Sequence, residues 1–456
     1  MTPLAEWRSR LERLAGDAEL ARVAPGLSVE VAFASPGDRV AFAIRDGRIA
    51  LPGDDAMAPP GDDAAVTVEA SDADWARTLA DPAPPGFHAF TAWELANDAF
   101  AVAGDPQIRA TARPALERVV EVALATAPLA APAIGRDVSR IAGRLFDLPV
   151  GADRAEIHCD IVAEPGAEGP PIVFLHTAGA DGRQFRAQLA DPDLAARHPL
   201  YAPDLPFHGR STPPAGWDGG PYRLTGATYL DWCTTILDGI VGRPAIVVGG
   251  SMGAAMALVL AAERPERLRG AVALEPPFRS AGRRSEWQDH VAVHAGLHNA
   301  AFVRGLMSPQ SPEAARRDAA WIYAQGAPGV YRGDLLFYSE EFDGAAVGPR
   351  IDTARVPVAL LSGRYDYSAT PADGARLAAA IPGARHIVME GLGHFPMIEN
   401  PAALKPHLIA ALDHVTAADE ERPCAINAPV RPTEPPSPTS SSAVSGPARR
   451  CWARIT

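Results

Sequence analysis

IVVGGSMGAAMALVLAAERP, residues 246–265, starts as an apolar run suited to a buried strand and ends as an Ala-rich run suited to a helix. Between them Gly249-Gly250-Ser251-Met252-Gly253 fits the pattern G-x-S-x-G, in the strand–turn–helix context that the pattern requires. So sharp a turn forces the serine into a strained backbone conformation. Glycines two before and two after it leave room where a Cβ would collide with neighbouring chain. The serine Oγ then stands out above the sheet, beside the positive end of the following helix. A Gly-rich turn whose serine merely caps that helix is the competing reading. The flanking strand and helix favour a nucleophile, Ser251.

A serine hydroxyl attacks only when a base removes its proton. RHIVMEGLGHFPMIENP, residues 385–401, places His394 just after an apolar run and before a helical segment. Imidazole can take and return a proton near neutrality, so His394 is the expected base, ahead of His176, His208, His386 and His407. VPVALLSGRYDYSATP, residues 356–371, ends a strand and enters a loop at Asp366, 28 residues before His394. The order Ser, Asp, His makes Asp366 the expected carboxylate on the other imidazole nitrogen. Glu275, at the end of the strand-like AVALEP, is the runner-up acid. The oxyanion of such a reaction needs backbone N–H donors: Met252, the residue after the nucleophile, and either Thr177 or Ala178 in the small-residue loop after PIVFLH.

Working outward, PPIVFLH, HPLYAPDLP, AIVVGG, LRGAVALEP, VPVALLSG and RHIVMEG alternate with helical segments. Continuous apolar strands between helices mark a mostly parallel sheet covered on both faces, an α/β fold. Residues 278–351 interrupt the rhythm with an aromatic-rich helical insertion carrying Trp287, Trp321, Tyr323, Tyr331, Phe337 and Tyr338.

The ordered set of strand-HTAG loop, PDLPFHGRS, elbow, helical insertion, SGRYD and GLGHFP resembles the α/β-hydrolase superfamily over about 265 residues. The resemblance implies a doubly wound sheet of about eight strands, with 278–351 as a cap. Two departures stand out: His176-Thr177 where His-Gly is frequent, and Phe207 where glycine is usual.

Before this region the pattern is α+β, with alternating strands, a hairpin turn at Asp46-Gly47 and an amphipathic helix in RPALERVVEVALATA. VAFAIRDGRI, VTVEASDADWARTL and FAVAGDPQIRATARPALERVVEV together resemble the sterol-carrier-protein lipid-binding fold, which implies an apolar cavity. The expected organisation is an N-terminal α+β domain at 1–130, a linker at 131–155, an α/β-hydrolase domain at 156–416 and a disordered Pro/Ser/Thr-rich tail at 417–456.

A net charge of −13 excludes a general nucleic-acid binder, which needs a basic surface. No run of about 18 apolar residues and no signal-peptide h-region occurs, so the expectation is a cytoplasmic protein without stable membrane insertion. Cys159, Cys233, Cys424 and Cys451 fit no metal spacing and are read as free thiols. His290, His294 and His298 recur every four residues, which on one helix aligns them on one side. Without a further ligand they read as a polar stripe rather than a metal site. No metal and no cofactor is expected, and a homo-oligomer is left open.

Ser251 excludes the superfamily members that use aspartate as nucleophile. The first expectation is a serine hydrolase that cleaves a carboxylic ester, or thioester, of a mainly apolar small molecule through an acyl-enzyme. A carbon–carbon bond hydrolase is the alternative, because GGSMGAA is similar to the elbow of ring-cleavage-product hydrolases. A lipid carrier with an inert hydrolase fold is the alternative from another class.

Overall fold

Two β-sheets organise the residues described by the computed structural model, 1–51 and 64–420. The N-terminal sheet has β1 (Ser28–Ser35), β2 (Asp38–Arg45), β3 (Arg48–Ala50), β4 (Val66–Glu69) and β5 (Ala101–Gly104), in the order β3-β2-β1-β4-β5. Asp46 and Gly47, at φ 48° and 73°, make the two-residue turn that the sequence marks, with Arg45 opposite Arg48. Ser71 caps the helix Asp72–Thr78 through the N–H of Asp74.

Helices Pro3–Leu11 and Pro106–Ala123 belong to the same hydrophobic core, burying Leu4, Trp7, Leu11, Leu116, Val119 and Val120. The interior between sheet and helices is filled by aromatic rings. Trp7, Phe33, Trp75, Trp93 and Phe100 meet edge-on or stacked, with Trp7–Phe33 centroids 5.2 Å apart and Trp93–Phe100 5.0 Å apart. Among the described residues these rings pack together where the sterol-carrier resemblance implies an apolar cavity. Clefts of about 480 and 620 Å³ lie instead between this domain and the helix Ala295–Arg304, sharing Val23, Pro114 and Leu297.

The second sheet has eight strands: β6 (Ala142–Val150), β7 (Asp153–Val162), β8 (Ile172–Leu175), β9 (Leu200–Pro203), β10 (Ala245–Gly250), β11 (Leu268–Leu274), β12 (Val358–Gly363) and β13 (Arg385–Met389). Their order is β13-β12-β11-β10-β8-β9-β7-β6, parallel from β13 through β9 and antiparallel at β9–β7 and β7–β6. This corrects the expected linker, because 142–155 supply β6 and the start of β7. As an edge hairpin, β6 keeps most of its residues in solvent and so lacks the apolar run that marks a buried strand. The expected start of the tail also moves, because the helix Pro401–Glu420 runs through 417–420; residues 421–456 lie outside the described residues.

The insertion forms helices Ala295–Arg304, Glu313–Ala324 and Val330–Leu335. It is tied to the N-terminal domain by Arg304 to Glu121 at 2.5 Å and by Arg118 to Glu313 at 2.9 Å. The three cap histidines do not share one helix. His290 lies in a loop, His294 is the N-cap of Ala295–Arg304, and only His298 is inside that helix and buried. No cluster able to hold a metal occurs among the described residues, and none of their helices is long and apolar enough to cross a membrane. Cys159 and Cys233 are free and buried; Cys424 and Cys451 lie outside the described residues.

Candidate active site

Ser251 follows β10 at the point where the chain turns into the helix Met252–Glu263, next to where the strand order reverses around β8. Its backbone is strained, at φ 51° and ψ −108°. The close packing behind the turn is what the flanking glycines permit. A Cβ on Gly249 would stand 2.0 Å from the Gly253 carbonyl oxygen, and one on Gly253 would stand 2.3 Å from that of Leu175. The serine side chain caps nothing.

Its Oγ instead lies 2.8 Å from His394 Nε2. The opposite ring nitrogen, Nδ1, donates to Asp366 Oδ2 at 2.5 Å. Asp366 Oδ1 is held by the N–H groups of Ser368 at 2.7 Å and Ala369 at 3.0 Å, which fix the carboxylate plane. Because Nδ1 carries the proton, Nε2 has its lone pair toward Ser251. All three side chains are buried, Ser251 at 4% exposure. The loop bearing His394 is pinned by its own N–H to the Leu306 carbonyl and by Gly393 N–H to Glu399, at 3.0 and 2.5 Å. Burial pushes the Glu399 carboxyl up to about 7.

Glu275, the runner-up acid, does not reach the imidazole. Both of its oxygens accept from the Gly363 N–H, at 2.9 and 2.7 Å. Burial, and then the negative charge of Asp366, push its carboxyl well above the usual carboxylate range.

Of the expected backbone donors, Thr177 is already used: its N–H donates to Gln184 Oε1 at 3.0 Å. This removes Thr177 from the alternatives. The N–H groups of Ala178 and Met252 have no hydrogen-bond acceptor among the described residues. Tyr338, from the cap, brings its hydroxyl to Ser251 and to Ser368 Oγ, the latter at 3.3 Å. The aromatic richness of the insertion is visible in the sequence, but the contact between Tyr338 and Ser251 arises only from folding. Gln184 and Glu399 carry no sequence signal at all. Trp321, one of the aromatic residues expected in the cap, faces solvent at 61% exposure.

Residues 172–405 match the model of the alpha/beta hydrolase family, more than half of the chain. The chain belongs to that family. Among the relatives of this alpha/beta hydrolase, the magnesium-chelatase 30 kDa subunit of Rhodobacter capsulatus is 36% identical over 99 residues, and the match spans 22% of this chain and 32% of that one. The pimeloyl-[acyl-carrier protein] methyl ester esterase of Neisseria meningitidis is 26% identical over 246 residues, 51% of this chain and 89% of that one. A thermophilic esterase from Thermogutta terrifontis superposes with a TM-score of 0.51 at 18% identity, over 60% of this chain and 99% of that one, a likeness of fold.

Proposed function

We propose that this alpha/beta hydrolase is a serine esterase that cleaves a carboxylic ester, or thioester, of a small and mainly apolar molecule through an acyl-enzyme. The observation that carries the reading is the continuous line from Ser251 Oγ through both nitrogens of His394 to Asp366. Ser251 Oγ attacks the carbonyl carbon while His394 Nε2 takes its proton, and Asp366 stabilises the imidazolium so formed. The N–H groups of Ala178 and Met252 receive the oxyanion; each such donor is worth about 2.7–4 kcal/mol in the transition state. Collapse breaks the bond to the alcohol or thiol, which leaves with the proton from Nε2. Water then gives a proton to His394 and attacks the acyl carbon. The acid departs and Ser251 regains its proton.

The apolar preference rests on the rings around the base. Phe395 meets the His394 ring at 4.8 Å, Tyr323 meets Phe395 at 5.6 Å, and Tyr338 stands at Ser251. The Neisseria meningitidis relative acts on a methyl ester, which agrees with ester cleavage. Turnover of a series of p-nitrophenyl esters, compared with vinylogous diketones, tests the reading. Ester turnover that improves with acyl chain length supports it; consumption of diketones alone points to carbon–carbon cleavage and overturns it. No turnover of either class supports the inert carrier.

A further inference from the structure

The candidate oxyanion loop of this hydrolase is held from both sides. On one side the Thr177 N–H is fixed by Gln184. On the other the Gly179 N–H donates to Asp334 Oδ2 at 2.7 Å. The Ala178 N–H lies between these two pinned amides and is left free. Gly179 has φ +70°, and a Cβ there would stand 2.5 Å from the Tyr331 ring, so the loop sits directly against the cap.

Asp334 belongs to the cap helix Val330–Leu335 and is fully buried. Besides Gly179 it takes the Tyr222 hydroxyl on Oδ1 at 2.8 Å and faces His208 Nε2 with Oδ2 at 2.8 Å. The other nitrogen of His208 lies 2.8 Å from the Pro206 carbonyl, which can only accept, so Nδ1 carries a proton. With a carboxylate on Nε2, the ring donates from both nitrogens and is an imidazolium. His176, with ring centroids 4.8 Å away, is the opposite case. Its Nδ1 donates to the Thr177 carbonyl at 2.9 Å and its Nε2 accepts the Leu205 N–H at 3.2 Å, so that ring is neutral.

We infer that Asp334 and His208 form a buried ion pair that serves as a positioning device, fixing the Gly179 amide and thereby aiming the Ala178 N–H at the oxyanion. The inference rests on the serine-esterase reading of the same site. The titratable groups that face the pair are Tyr222, Tyr229, Tyr323, Tyr331, His176 and Asp181. Burial opposes the charge on His208, and Asp334 outweighs that penalty and raises it; burial and the His208 charge lower His176 to about 4. A raised group keeps its proton below its folded value. The pair therefore holds its proton below that raised value and is lost as pH climbs through it.

The test compares the parent with Asp334→Asn, using p-nitrophenyl butyrate from the imidazole range upward in pH. Asp334→Asn should lower kcat about 10- to 100-fold with KM changed less than about threefold, because the affected contact forms only in the transition state. The parent should show a descending alkaline limb in kcat that Asp334→Asn lacks. Fluorophosphonate should react with Ser251 correspondingly more slowly in the variant. Unchanged kcat in folded Asp334→Asn, or the same alkaline limb in both proteins, overturns the inference. A measurement on the unmodified protein covers the case of a variant that fails to fold. Nitrogen-15 NMR of His208 should show both ring nitrogens protonated at neutral pH, and a neutral ring overturns the inference. If fluorophosphonate does not label the parent at all, the esterase reading falls with it; a labelled parent with an indifferent variant sinks only the ion-pair role.

Discussion

Asp366→Asn should cut turnover about 10⁴-fold, whereas Glu275→Gln should leave it within about threefold, and the hydrogen bonds explain the difference. Oδ1 of Asp366 faces two donors, the N–H groups of Ser368 and Ala369. An asparagine must therefore keep its carbonyl oxygen in that position and turn its NH₂ toward His394 Nδ1. An NH₂ group only donates, so the imidazole proton is driven to Nε2, where it faces Ser251 and can no longer accept the serine proton. A 10⁴-fold loss corresponds to roughly 5.5 kcal/mol at about 1.36 kcal/mol per tenfold. Burial and the Asp366 charge already disfavour the charged form of Glu275, and a glutamine keeps an acceptor for Gly363. The assay is kcat/KM on p-nitrophenyl butyrate, with a thermal melt on each variant to show that it is folded. If Asp366→Asn keeps more than about a tenth of the parental activity, or Glu275→Gln falls as far as Asp366→Asn, the assignment of the acid is refuted.

Gly249→Ala should lower Tm by about 5 °C or more, or abolish soluble expression, because its Cβ would meet the Gly253 carbonyl at 2.0 Å. A variant with parental Tm and activity would mean that the elbow is looser than described. Glu117→Gln addresses the buried carboxyl that burial raises from 4.5 to about 7, despite the hydrogen bonds that it accepts from Thr91. A raised carboxyl stabilises the fold below its unfolded value and loses that contribution as pH rises through the folded one. The parent should therefore lose on the order of 3 kcal/mol from this group between about pH 4.5 and 7. Glu117→Gln should be the more stable protein above that window in thermal melts. A variant less stable than the parent at both ends would contradict the assignment.

The elbow was legible because its demands are local: a strand, a tight turn and a helix must follow one another, and small residues are the only solution at 249 and 253. Asp366 was legible because it follows a fully buried strand with a continuous apolar run, and His394 because it follows the short apolar run Ile387–Met389 at the end of the half-buried edge strand β13. The edge hairpin of β6 and β7 was not, since β6 is mostly exposed and has no such run, and part of it reads as linker. The loop donor stayed ambiguous for another reason: Thr177 and Ala178 differ only in whether Gln184 captures the amide, and that residue carries no signature. The histidine repeat misled because spacing of four aligns side chains only on a continuous helix, and the helix begins at Ala295. Asp334 lies 155 residues from the glycine it holds, and only the folded cap unites them.

The most direct test of the reactive serine is covalent labelling of the folded protein with a fluorophosphonate, followed by peptide mass spectrometry. One adduct is expected, on Ser251, fast in the parent and strongly slowed in His394→Ala. An unlabelled Ser251 in folded protein, or an adduct formed equally well without His394, would contradict the account.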